Sequence, residues 1–161
     1  MTEKEQYLSA VAREYPTTVK VLKAYPAGKA DLKPHAKSKN ARELAWNFVT
    51  EATACNMALD GAIEFGKMPP SPATLPEVIS MYEKAHTALL ERLQRTPDAE
   101  LNKTVKFFTA PKQMGDVRKM DLFWMMLMDS VHHRGQFSVY LRMADAKVPS
   151  IYGPTADEPW N

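Results

Sequence analysis

Asp129 and His133 stand four residues apart in the C-terminal third of the chain. On a helix, side chains at that spacing share a face with their Cβ atoms about 5–6 Å apart, so a carboxylate and an imidazole can converge on one ion or one proton. Two chemistries follow. A divalent metal ion would take both groups as ligands and need a third from another helix. Alternatively, Asp129 accepts a hydrogen bond from His133 or pairs with Arg134, and nothing is bound. The other candidates are weaker. His132 lies about 100° around the helix from His133 and reads as a packing or interface residue. His35 precedes a helix, and His86 sits among apolar residues; neither has a partner at ligand spacing. Cys55 has no histidine four residues away to activate it and reads as a buried thiol.

These residues need helices to hold them. Leu8, Val11, Ala12, Tyr15, Val19 and Leu22 recur at three- and four-residue steps and predict a first helix over about 3–24, with a kink or break near Pro16. Ser38 or Asn40 can cap a second helix running from Ala41 to about Phe65 on Leu44, Phe48, Ala52, Cys55, Leu59 and Ile63. Leu75-Pro76-Glu77 opens a third, which continues to about Arg95. Residues 97–118 are the least regular part, and Lys103 to Thr109 alternates weakly enough to be a short strand or an extended connection, of which the connection is favoured. A fourth helix over 119–144 carries Asp129 and His133. Within it, Trp124 to Met128 is apolar all round, as expected of a helix that meets the core on one side and a second subunit on the other. Gly135 is expected to permit close helix approach, within the chain or across the same subunit contact, while Arg134 and Gln136 reach neighbouring helices or the partner chain. The proline-containing segment 148–161 should lie extended across the helices.

The expected fold class is therefore all-α, a four-helix bundle with an extended C-terminal tail, formed by one domain over 1–161. Lys+Arg 21 against Asp+Glu 19 gives a net charge of +2, too balanced for a nucleic-acid or membrane-surface footprint. No run approaches the roughly 20 apolar residues of a membrane span. A single cysteine and a polar start point to the cytoplasm.

The run Asp31 to Asn47 resembles the linker and helix-two entry of the DinB and YfiT-like superfamily. His132-His133-Arg134-Gly135-Gln136, followed by Tyr140-Leu141-Arg142 and Val148-Pro149-Ser150-Ile151-Tyr152-Gly153, is similar to its C-terminal signature. The resemblance implies a four-helix bundle, frequently a homodimer, with a divalent metal held by three histidines. Carried over position by position, those ligands fall on His133, Asp129 and Asn47. Aspartate is a competent ligand, but a neutral amide oxygen binds late transition metals less well than imidazole does. The set implies one divalent ion, zinc, nickel, manganese or iron, weakly held or absent. Two functions are expected from it: a small-molecule-binding or interaction protein with a degenerate metal site, or a divalent-metal-dependent thiol transferase or hydrolase. The catalytic residues and the substrate stay open.

Overall fold

The structure is a computed structural model that describes residues 1–161 throughout. Its elements run α1 (Glu3–Lys23), α2 (Ala41–Leu59), α3 (Leu75–Arg95), a short α4 (Asp98–Leu101), β1 (Thr104–Ala110), β2 (Gln113–Arg118) and α5 (Lys119–Met143), with single 3-10 turns at Ala27–Lys29 and Phe65–Lys67. No helix is long and apolar enough to cross a membrane.

Three of the four long helices start in the same way. Thr2 with Glu5, Asn40 with Glu43, and Thr74 with Glu77 each form a capping box, in which the cap side chain accepts from the third backbone N–H and the glutamate accepts from the cap N–H. α1 runs unbroken through Pro16, contrary to expectation. Pro16 and Ala12, whose carbonyl loses its helical donor, are both exposed, so water replaces the missing bond. α2 ends at Leu59, six residues before the expected Phe65, because Gly61 adopts φ +98° and turns the chain away.

α2 packs against α3 and α5, and α1 packs against α5 and α3. The chain is mostly helical, and the all-α expectation is corrected by one antiparallel hairpin. β1 pairs with β2 in the register Val105↔Val117 and Phe107↔Gly115, where an extended connection was expected. So short a pair is marginal alone. Here Val105 is buried among core residues of the helices, and Phe107 and Val117 pack at the edge of the same cluster. Docking on the helices therefore stabilises a strand pair whose own alternation is faint. The tip needs a left-handed residue, and Lys112 supplies it at φ 61°.

The buried apolar side chains form two clusters. One holds Leu22, Phe48, Val78, Tyr82, Phe137 and Leu141 with their neighbours. The other holds Tyr7, Val11, Cys55, Leu89, Phe123 and Met126 with theirs. Between them each long helix contributes buried polar residues: Thr18 from α1, Glu51 from α2, His86 from α3 and Arg134 from α5. This belt is where interior polar groups must find partners or shift their titration.

His86 belongs to the belt without a hydrogen bond: its Nε2 is buried and unpartnered, and its ring stacks on Tyr15 at 3.7 Å between centroids. Burial pushes its pKa down to about 4. The folded state thus binds fewer protons than the unfolded chain between about pH 6.5 and 4, so this contribution to stability is complete above 6.5 and lost as pH falls through that window. At 1.36 kcal/mol per unit the loss approaches about 3 kcal/mol. We expect His86→Phe to flatten the fall of thermal midpoint between pH 7 and 4.5. Parallel profiles for the two proteins would contradict it.

Candidate functional site

α2 and α5 lie side by side, and each presents two polar residues one turn apart toward the other: Asn47 and Glu51 from α2, Asp129 and His133 from α5. His133 Nε2 lies 3.1 Å from Asn47 Nδ2, 3.4 Å from Glu51 Oε1 and 3.5 Å from Asp129 Oδ2. One ligand atom from each of Glu51, Asp129 and His133 falls within 4.8 Å of the other two. The structure thus brings together all three residues singled out in the sequence and adds Glu51, which sequence reasoning missed. Its signal was present, since Glu51 stands four residues after Asn47 and repeats on α2 the spacing of Asp129 and His133 on α5.

The hydrogen bonds fix which atoms face inward. Lys39 Nζ, which can only donate, reaches Asn47 Oδ1 at 2.5 Å, so the amide turns its nitrogen toward His133. Nε2 then accepts, and Nδ1–H donates to Gln136 Oε1 at 3.0 Å. The Nε2 lone pair is thus taken up by the Asn47 amide, with the two carboxylates 3.4 and 3.5 Å away, and a cation bound between them would have to displace that hydrogen bond. Asn47 can offer its oxygen to an ion only by an amide turn that gives up Lys39.

Glu51 is 7% exposed, and its Oε1 has no hydrogen-bond partner. Its other oxygen accepts from the Ser130 hydroxyl. Burial pushes the carboxyl up to about 8 against the pull of the Ser130 bond, with the negative charge of Asp129 adding to the rise. An orphaned buried oxygen beside an unprotonated imidazole nitrogen and a second carboxylate suits a divalent cation. It would pair the oxygen and remove the repulsion between the two acids. Two carboxylates and one imidazole form a donor set for harder divalent ions such as manganese, iron or zinc.

The remaining candidates lie elsewhere. His35 is exposed and accepts from Lys37 N–H within its own loop, and His132 is exposed. Cys55 is buried in the second apolar cluster, which pushes its thiol well above the ordinary range. The close helix approach expected at Gly135 does not occur within the chain: the residue is exposed, and a Cβ there would meet nothing within 4 Å.

Arg134 turns inward instead. Its guanidinium, 1% exposed, donates to the Glu14 carboxylate at 2.7 Å, to the Glu14 carbonyl, to Thr18 Oγ1 and to the Tyr152 hydroxyl. The C-terminal tail is thereby tied to α1 and α5. Rather than lying extended, it bends back on itself through Thr155, Asp157 and Glu158.

A mostly helical chain whose second and last long helices face each other through a carboxylate-histidine cluster, with a hairpin leading into the last helix, defines a class. The chain belongs to the DinB family, whose model matches residues 1–160. Its fold is similar to that of a DinB-like protein from Bacillus cereus ATCC 10987, with TM-score 0.76, 24% identity, and coverage of 92% of this chain and 97% of that one. It is also similar to a DinB-like protein (YjoA) from Bacillus subtilis, with TM-score 0.71, 16% identity, and coverage of 91% and 96%. The protein YrdA of Bacillus subtilis strain 168, itself uncharacterized, is 29% identical over 90 residues. That match covers 55% of this chain and about half, 51%, of YrdA.

The raised carboxyl of Glu51 has a stability sign of its own. The folded state holds a proton that the unfolded chain releases above about pH 4.5, so stability falls as pH rises toward 8, by up to about 5 kcal/mol from this group. Glu51→Gln removes the dependence. In chelator-treated protein, the variant's midpoint relative to the parent should climb steadily from pH 5 to 8.5. A constant difference across that range would refute the assignment.

Proposed function

We propose that this chain is a small-molecule-binding DinB-family protein built around one divalent cation, with Glu51, Asp129 and His133 as ligands and Asn47 at the edge of the set. The observation that carries this reading is the unpartnered, buried Oε1 of Glu51, 3.4 Å from His133 Nε2. It makes good the loss of histidine at Asn47 and Asp129, since a carboxylate from the next turn of α2 supplies the third donor. Asn47 then stays at the rim, with its nitrogen holding His133 Nε2 until a cation takes that lone pair and its oxygen holding Lys39.

Divalent-metal-dependent hydrolysis or thiol transfer is the second reading, favoured by the partial exposure of Asp129, which leaves that side of the centre open to the cleft. A bound cation lowers the pKa of a water or thiol ligand and makes it nucleophilic at neutral pH. In that case His133, fixed by Gln136, and Glu51, fixed by Ser130, would hold the ion once Nε2 gives up the Asn47 amide, and Lys39 would place positive charge beside it.

We further propose that residues 1–161 fold as one four-helix-bundle domain that works as a homodimer in the cytoplasm. Exposed Met125, Met128 and Val139 on α5 supply apolar surface for the partner copy, and the lone buried thiol of Cys55 suits a reducing compartment. A light-scattering mass near twice 18.2 kDa is expected, and a mass near one chain would overturn the dimer.

The cation reading is tested on protein purified without an affinity tag or chelator, then titrated with manganese or zinc by calorimetry. About one equivalent should bind, Glu51→Gln should weaken it by roughly tenfold or more, and His133→Ala should remove it. Asn47→His should strengthen zinc or nickel binding by at least about tenfold, because imidazole replaces an amide. Uptake below about a tenth of an equivalent, indifferent to these substitutions, would sink the proposal.

A further inference from the structure

Asn47 and His133 form a low ridge between two hollows of different chemistry. On one side a hollow of about 310 Å³ is walled by Phe65, Met68, Phe107 and Met126, with the Glu51 and Asp129 carboxylates at its margin. Phe65 and Phe107 lie with ring centroids 6.0 Å apart and form an aromatic corner between the turn after α2 and β1. On the other side a hollow of about 450 Å³ is lined by Ser38, Lys39, Gln136 and Tyr140. The adjoining surface carries Lys37, Lys39 and Arg42 against the single acid Glu43. Both hollows are of the size that takes small ligands.

We propose that the site takes a small amphiphilic carboxylic acid, with its apolar or aromatic body in the Phe65–Phe107 hollow and its carboxylate on Lys39, so that the connecting bonds cross the Asn47–His133 ridge. Three features carry the assignment. The two hollows share Asn47 and His133, so one molecule can fill both. Lys39 uses one of its three N–H donors on Asn47 and keeps the others for an anion. The apolar wall is aromatic and thioether rather than polar, so it contributes affinity by burying a hydrocarbon body and offers it few hydrogen bonds. A neutral lipid would leave Lys39 unused, and a doubly charged sugar acid would leave the aromatic wall unused. The ligand's position over the cation rests on the cation reading given above, but the two arms do not. The cation should favour the acid, because it offsets the repulsion between the ligand carboxylate and those of Glu51 and Asp129.

The probes are 3-phenylpropanoate and its neutral counterpart 3-phenylpropanol, titrated by calorimetry into manganese-loaded and into chelator-treated full-length protein. The acid should bind more tightly than the alcohol. Lys39→Gln should weaken the acid by about tenfold, the value of one charge-assisted hydrogen bond, and leave the alcohol within about twofold. Phe107→Ala, at a half-exposed strand position, should weaken both by at least about fivefold. Manganese should strengthen the acid and leave the alcohol unchanged. Equal binding of acid and alcohol, or acid binding unchanged in both Lys39→Gln and Phe107→Ala, would overturn the ligand class. Binding that keeps both sensitivities in protein that takes up no manganese would support the ligand class and overturn the cation reading alone. Manganese uptake with no probe binding would do the reverse.

Discussion

A carboxyl group removed from water must be neutralised, paired or hydrogen-bonded, and Glu51 meets that demand only in part. One of its oxygens accepts a hydrogen bond from the Ser130 hydroxyl, while the other lies 3.4 Å from His133 Nε2 without a hydrogen-bond partner. Everything about the site follows from this incomplete satisfaction. Burial raises the carboxyl to about 8, with Asp129 adding to the rise, and makes the gap between α2 and α5 a place where a positive charge is welcome. Lys39 already answers that field from the rim, through Asn47, and a divalent cation would answer it from the centre.

The neighbouring polar groups in the belt solve the same problem differently. Arg134 is surrounded by a carboxylate, a carbonyl and two hydroxyls, so its burial is fully compensated and serves to fasten three parts of the chain. His86 is compensated by remaining uncharged against Tyr15. Three buried polar residues on three helices thus use pairing, neutrality and, at Glu51, a raised pKa with one oxygen left unpartnered. Only the third leaves an opening for a ligand, and it is the one that faces the cleft.

Much of this was legible in the sequence, and the exceptions are instructive. The helix starts were readable from local signals, the apolar spacing of the first helix, the Asn40 cap of the second and Pro76 in the first turn of the third, to which the structure adds the Thr2 and Thr74 caps. The pair Asp129 and His133 was readable because both lie on one helix. Glu51 was not singled out, since its significance comes from α5, across the interface, and a glutamate on α2 otherwise reads as a solvated residue. The hairpin was missed for a related reason: only Val105 is fully buried along β1, and the helices that bury it are far away in sequence. The early end of α2 depends on the left-handed backbone of Gly61, while Ile63 and Phe65 beyond it kept the apolar spacing going. In each case the deciding interaction was non-local or hidden in the backbone.

Arg134 follows His133 directly on α5, so the two side chains leave the helix about 100° apart, one toward the cleft and the other into the interior. The rotational setting of α5 is therefore read out twice, once by Asn47 and Glu51 at His133 and once by Glu14, Thr18 and Tyr152 at Arg134. The C-terminal segment, which touches no residue of the cluster in these contacts, is geared to it through a single helical step. Tyr152 is one of the four acceptors that hold Arg134, so the far end of the chain takes a share in the site's alignment alongside Glu14 and Thr18.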